Sequence, residues 1–138
     1  MTSQFIPVEP FDYVVFGGTG DLAERKLIPA LFRRFCDGQI PETSRIIGAA
    51  RSDMETSEYR DFARKAIGEH APGGDAGQVS AFLELLHYVA VDAMSERGWE
   101  ALSALLGDED RVRAFYLAVG PSIFGAIADR LDQHGMVR

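Results

Sequence analysis

A single cysteine, Cys36, stands in the 138-residue chain, so no disulfide can form within it. With no bridge to make, a reducing compartment is expected, and the cytoplasm is the expected location. No apolar run approaches the roughly 18 residues of a membrane span, and the first residues, MTSQFIPVEPFD, lack the basic and apolar regions of an export signal. Basic charge is also scarce. Fourteen Lys and Arg stand against 21 Asp and Glu, a net charge of −7. Nucleic acid is therefore not an expected partner, because it requires a basic face. An anionic ligand has to be held by local groups against that overall field. Histidines number three, at 70, 87 and 134. None is spaced with a carboxylate as a general base would be, so all three read as structural or exposed. No group of residues has metal-ligand spacing. Cys36, on the first helix with Phe32 and Phe35, reads as a packed small hydrophobe.

What is present is a regular alternation. With 46% hydrophobic and 25% charged residues, the composition is that of one globular domain able to bury a core. Residues 1–11 hold two prolines and no periodicity, a lead-in arm. Strands are expected at 12–16, 45–50, 87–91 and 112–119. Helices are expected at 21–37, from Thr56 or Ser57 to His70, at 78–86, at 95–106 with Ser95 as cap, and from Pro121 to Gln133. Pro29 should kink the first helix, and Gly38 should stop it. Loops fall at 41–44, at 71–77 and at the turn 107–110. Strand–helix alternation predicts right-handed crossovers, hence an α/β, Rossmann-like parallel sheet with helices on both faces. The chain stops after a helix, two residues into whatever follows, so the sheet is expected to be incomplete at the C-terminal end.

The chemistry gathers at Tyr13–Ala23, where an apolar strand runs into a glycine turn and then a helix. Two patterns overlap there. Gly18, Gly20 and Ala23 fit G-x-G-x-x-A, and Gly17, Gly20 and Ala23 fit G-x-x-G-x-x-A. Small residues let the chain turn tightly and let a pyrophosphate approach backbone N–H groups at the helix start. Asp21 is placed to cap that helix. In the NAD pattern an acidic residue ends the second strand and binds the ribose 2′-hydroxyl. Here that strand ends Ala49-Ala50-Arg51-Ser52, and no carboxylate occurs until Asp53. A guanidinium matches phosphate oxygens, so Arg51 points to the 2′-phosphate of NADP, with the Thr19 hydroxyl as a second donor. Asp92 follows the third strand at the sheet edge where such folds bind ligands, and capping is its structural alternative. Gly120 and Pro121 end the fourth strand at the same edge. Lys26, on the first helix, faces either a phosphate or solvent.

The run FGGTGDLAERKLIPALF resembles the first strand–helix segment of glucose-6-phosphate dehydrogenases, whose hallmark is G-x-x-G-D-L-A-x-[RK]-K-[LI]-x-P-[AST]. The likeness continues through DGQIP, IIGAARSD, Val91-Asp92 and FYLAVGPSIFGAI, covering residues 12–134. It implies oxidation of glucose 6-phosphate at C1 to 6-phosphogluconolactone, in the pentose phosphate pathway, with NADP as cofactor. It places Gly17, Gly18, Thr19, Gly20, Asp21 and Leu22 in the nucleotide loop and Arg51 on the 2′-phosphate. Asp92 and Ala93 fall beside the nucleotide, and Lys26 on the substrate side. Gly120 replaces the first of two prolines usual in the family. The family's E-K-P-F-G and R-I-D-H-Y-x-G-K-E segments do not occur in the chain. The resemblance therefore supplies no catalytic residue, and the chain is expected to be an NADP-binding portion, inactive alone. The substrate and dimerisation domain, glucose 6-phosphate binding and homo-oligomerisation would belong to the full-length enzyme. A stand-alone NADP sensor is the alternative. A reductase with a Y-x-x-x-K site is disfavoured, since no tyrosine has lysine four residues later.

Overall fold

The computed structural model describes residues 9–107 and 111–136. The expected turn at 107–110, most of the lead-in arm and the last two residues lie largely outside that range. Four parallel strands form one sheet in the order β3-β2-β1-β4: β1 is Phe11–Phe16, β2 Arg45–Ala50, β3 Leu86–Ala90 and β4 Val112–Leu117. Phe16 stands beside Ala49 on one side and Leu117 on the other. Strand order reverses between β1 and β4, which opens a crevice at their carboxyl ends.

Helices cover both faces. On one face, α1 (Ile28–Cys36), α2 (Thr56–His70) and α3 (Ala76–Leu83) bury Ile28, Phe32, Tyr59, Phe82 and Leu86. On the other, α4 (Trp99–Leu106) and α5 (Phe124–Gln133) bury Trp99, Leu102, Leu106 and Ile127 against Val14, Phe16 and Ile47. Neighbouring residues such as Ile46 and Ile47 serve opposite cores, which is why the β2 sequence is apolar without alternation.

Several local expectations are corrected. The turn before Pro29 is a π-turn, Ala23–Leu27, in which the Ile28 N–H reaches back to the Ala23 carbonyl. Proline has no N–H and its ring collides with the carbonyl four residues earlier, and the wider turn accommodates this. Asp21 caps no N–H group; it lies in the helical first turn and pairs with Arg25 at 3.4 Å. Glu55 caps α2 through a reciprocal box with Glu58, in place of Thr56 or Ser57. Thr56 instead accepts the Tyr88 N–H on β3. Asp75 caps α3 and starts it two residues early. Helix α4 begins at Trp99 after Gly98, not at Ser95, because residues 92–98 form a closed loop, the Asp92 N–H donating to the Arg97 carbonyl. Pro121 opens a 3₁₀ turn, Pro121–Ile123, ahead of α5.

At the amino end of the sheet, Asp12 is fully buried. Arg45 grips it with two bonds of 2.9 Å and also donates to the Leu105 carbonyl at the end of α4. Arg111 stands 3.5 Å from the same carboxylate. Removing one partner of a buried pair strands the other charge, so Asp12→Ala is expected to lower stability by about 3–5 kcal/mol. Urea unfolding checks this, and a change below about 1 kcal/mol would show that the pair is not structural.

Candidate functional site

The turn after β1 is shaped by close contact with its neighbours. Gly17 adopts φ +81°, and a Cβ there would sit 2.4 Å from the Ala118 carbonyl oxygen. A Cβ on Gly18 would meet the Gly48 Cα and the Tyr59 hydroxyl, both at 2.9 Å. Side chains are excluded at both positions by space, and at Gly17 by backbone conformation as well. The N–H groups of Gly17 and Gly18 both donate to the Ala49 carbonyl, at 2.8 and 3.3 Å. They are therefore committed to β2; Gly17, half-buried, lines a cavity beside the turn, whereas Gly18 is buried against Gly48 and Tyr59. Among the described residues, the N–H groups of Thr19, Asp21 and Leu22 donate to no protein acceptor, which leaves them at the helix start for an anion.

A cavity of about 300 Å³ opens beside this turn at the carboxyl edge of the sheet. Of the residues singled out by sequence, Gly17, Arg51, Asp92 and Ala93 line it. Gly18, Thr19, Gly20, Asp21 and Leu22 form the adjoining turn. Lys26 does not reach it: it is exposed on the π-turn. Val119, Ile123 and Ile127 supply an apolar wall, while Gly120 and Pro121 lie outside. The Arg51 side chain is exposed and makes no hydrogen bond or ion pair among the described residues, so its guanidinium is available. The Asp92 carboxylate accepts the Met94 N–H at 2.9 Å within the loop after β3; it caps no helix, since α4 begins only at Trp99.

Two supports escaped the sequence reading. Tyr59, fully buried on α2, donates its hydroxyl to the Gly18 carbonyl at 3.1 Å. Burial pushes that hydroxyl's pKa far up, so it remains a donor. A Cβ on Gly48 would lie 2.4 Å from the Tyr59 ring, so Gly48 is the seat of this prop. Tyr88 contributes its hydroxyl to the Ser52 carbonyl at 2.7 Å and the Ala50 carbonyl at 3.1 Å, fixing the segment that carries Arg51. The pairing Gly48–Tyr59 spans two elements, and no local pattern announces it.

The remaining titratable groups have other partners. Burial and the nearby Arg60 and Arg45 lower the His87 pKa, so the ring is neutral at neutral pH. His134 stacks on Trp99, and His70 lies near Glu24 and Glu69 on a different face. These last three can bring one ligand atom each within 4.8 Å of one another, a grouping invisible in the sequence because Glu24 is far from the others. Burial raises the Cys36 thiol pKa, which opposes a nucleophilic role.

The family model described as the glucose-6-phosphate dehydrogenase, NAD binding domain, matches residues 14–138. The chain belongs to the glucose-6-phosphate dehydrogenase family. It is 55% identical over 140 aligned residues to a glucose-6-phosphate 1-dehydrogenase of Rhizobium meliloti (strain 1021), covering 99% of this chain and 28% of that protein. Against the enzyme of the same name from Gluconobacter oxydans (strain 621H), identity is 44%, over 96% of this chain and again 28% of the relative. A solved glucose-6-phosphate dehydrogenase in complex with its substrate glucose-6-phosphate superposes with TM-score 0.82 at 30% identity, covering 97% of this chain and 29% of that one. The chain thus spans little more than a quarter of these family members, and the part it spans is their nucleotide-binding domain.

The prop under the turn has a direct check. Gly48→Ala forces the Tyr59 ring away from Gly18, so nucleotide affinity should fall about tenfold or more, while Tyr59→Phe, which keeps the packing and loses one bond, should cost about 1 kcal/mol of stability. Equal affinity for Gly48→Ala and wild type, measured by calorimetric titration, would contradict the role of this contact.

Proposed function

We propose that the chain is the NADP-binding portion of a glucose-6-phosphate dehydrogenase. The whole enzyme, on this reading, is a cytoplasmic homo-oligomer that oxidises glucose 6-phosphate to 6-phosphogluconolactone and feeds the pentose phosphate pathway. The observation that carries the choice of NADP is Arg51: an unpaired guanidinium lining the cavity at the end of β2, where an NAD site carries a carboxylate.

The residues present fit the dinucleotide. With no side chain at Gly17 on the cavity wall, a pyrophosphate can approach the turn, and the N–H groups of Thr19, Asp21 and Leu22, free of protein acceptors among the described residues, give it donors without a cation. Arg51 neutralises a ribose 2′-phosphate with a bidentate fork. Asp92 and Ala93 border the nucleotide from the β3 loop, and the apolar wall of Val119, Ile123 and Ile127 excludes water from the β4 side. Lys26, exposed beyond the cavity, is assigned to the substrate side. Bound NADP supplies the hydride acceptor for oxidation at the sugar C1. On this reading the chain alone binds cofactor and does not turn over substrate.

Titration of the purified chain with NADP and NAD tests the reading. Wild type should prefer NADP, and Arg51→Ala should weaken NADP by about ten- to a hundredfold while leaving NAD within about twofold. Unchanged NADP binding by Arg51→Ala would overturn the role given to that residue. Glucose 6-phosphate oxidation by the chain alone would overturn its assignment as a binding portion.

A further inference from the structure

The loop that carries Arg51 also carries Asp53, a carboxylate two residues away, on the side of the site where NAD-binding folds place their ribose acceptor. Left free, such a charge would repel a 2′-phosphate and offer a 2′-hydroxyl an acceptor. It is not free. Arg97, from the loop between β3 and α4, pairs its Nη2 with Asp53 Oδ1. Its Nη1 donates to the carbonyl of Arg51 itself, at 3.0 Å. Arg97 is in turn fixed by its own backbone: its carbonyl accepts the Asp92 N–H at 3.1 Å, and its N–H donates to the Ser95 hydroxyl at 3.2 Å.

This pair is a poor candidate for a stability device. The Arg97 side chain is 47% exposed and that of Asp53 89%, and exposed pairs contribute little to folding. Its position, however, bears directly on the ligand. The carbonyls of Ala50, Arg51 and Ser52 all accept side-chain donors from β3 or its loop, Tyr88 taking the first and third and Arg97 the second. The Arg51 backbone is thereby held, while the carboxylate of Asp53, two residues on, is occupied.

From these contacts we infer that Arg97 is a positioning and selectivity residue: it masks Asp53 and holds the Arg51 backbone, so that the site takes the 2′-phosphate of NADP and discriminates against the 2′-hydroxyl of NAD. The inference rests on the NADP-binding reading above. It goes beyond that reading by naming a residue outside the cavity lining.

The test is a titration of the full chain with NADP and with NAD, for wild type, Arg51→Ala, Arg97→Gln, Arg97→Lys, Asp53→Asn and the Arg97→Gln/Asp53→Asn double variant. Thermal melts confirm that each is folded. Arg97→Gln leaves Asp53 charged and unpaired, and its shorter side chain also gives up the bond to the Arg51 carbonyl. It should lower the NADP:NAD affinity ratio by about tenfold, the effect of one unscreened like charge near the phosphate. Adding Asp53→Asn should restore the ratio to within about threefold of wild type, and Arg97→Lys, which keeps the positive charge, should stay close to wild type. Asp53→Asn alone should not lower the ratio. Wild-type selectivity in Arg97→Gln, or equal losses for NADP and NAD, overturns the inference while leaving the NADP-binding reading intact. No rescue by Asp53→Asn also overturns it. Should Arg97→Gln fail to fold, a lowered ratio in Asp53→Asn or in Arg97→Lys decides against it. If wild type binds neither nucleotide, the NADP-binding reading itself falls and this inference falls with it.

Discussion

The carbonyl of Ala49 accepts from Gly17 and from Gly18 at once. That double bond to β2 stops β1 from continuing and turns its chain over the sheet edge. Tyr59 then meets the Gly18 carbonyl from below, on a ring seated against Gly48. Three glycines are required here because three backbones and one aromatic ring share the same few ångströms. The helix that follows starts with its N–H groups unspent, and its position relative to β2, and so to Arg51, is set by this knot. Loosening it separates the pyrophosphate donors from the 2′-phosphate donor, although neither set is itself changed.

The two ends of the sheet divide their electrostatic tasks. At the amino end, Asp12 and Arg45 neutralise each other in a buried pair that ties β1 to β2 and to the end of α4. At the carboxyl end, the guanidinium of Arg51 has no partner among the described residues and lines the cavity. In a chain of net charge −7, an unpaired cation beside free backbone donors is a local exception to the overall field. It is also where an anion gains most, since no internal partner has to be displaced. Asp53, two residues along from Arg51, is paired with Arg97.

Periodicity and glycine chemistry made much of this legible. The bounds expected for β2, at 45–50, and for α2, ending at His70, agree with the structure, because apolar runs and polar loops switch sharply there. So do the parallel sheet and the two-sided helix cover. Helix starts were less legible: Glu55 rather than Thr56 caps α2, and α4 waits until Trp99, since a side chain's choice between capping and longer-range bonds is not local. Thr56, diverted to the Tyr88 N–H, shows the competition directly. Of the cavity lining, Gly17, Arg51 and Asp92 were legible from motif and strand position, and Ala93 from the family resemblance. Tyr59, Tyr88 and Arg97 were not, because each acts on a backbone carbonyl some 36 to 46 positions away in sequence. Lys26, placed by resemblance, stands apart from the cavity.

The central claim is that the free N–H groups after β1 and the Arg51 guanidinium hold one dinucleotide between them. Amide and guanidinium ¹⁵N resonances followed during nucleotide addition test it most directly. The account predicts that the Thr19, Asp21 and Leu22 amides shift with both NADP and NAD, whereas the Arg51 Nε–H shifts with NADP alone. Shifts confined to another face, such as the groove between α2 and α3 around Ala71 and Ala76, with these four groups unmoved, would contradict it.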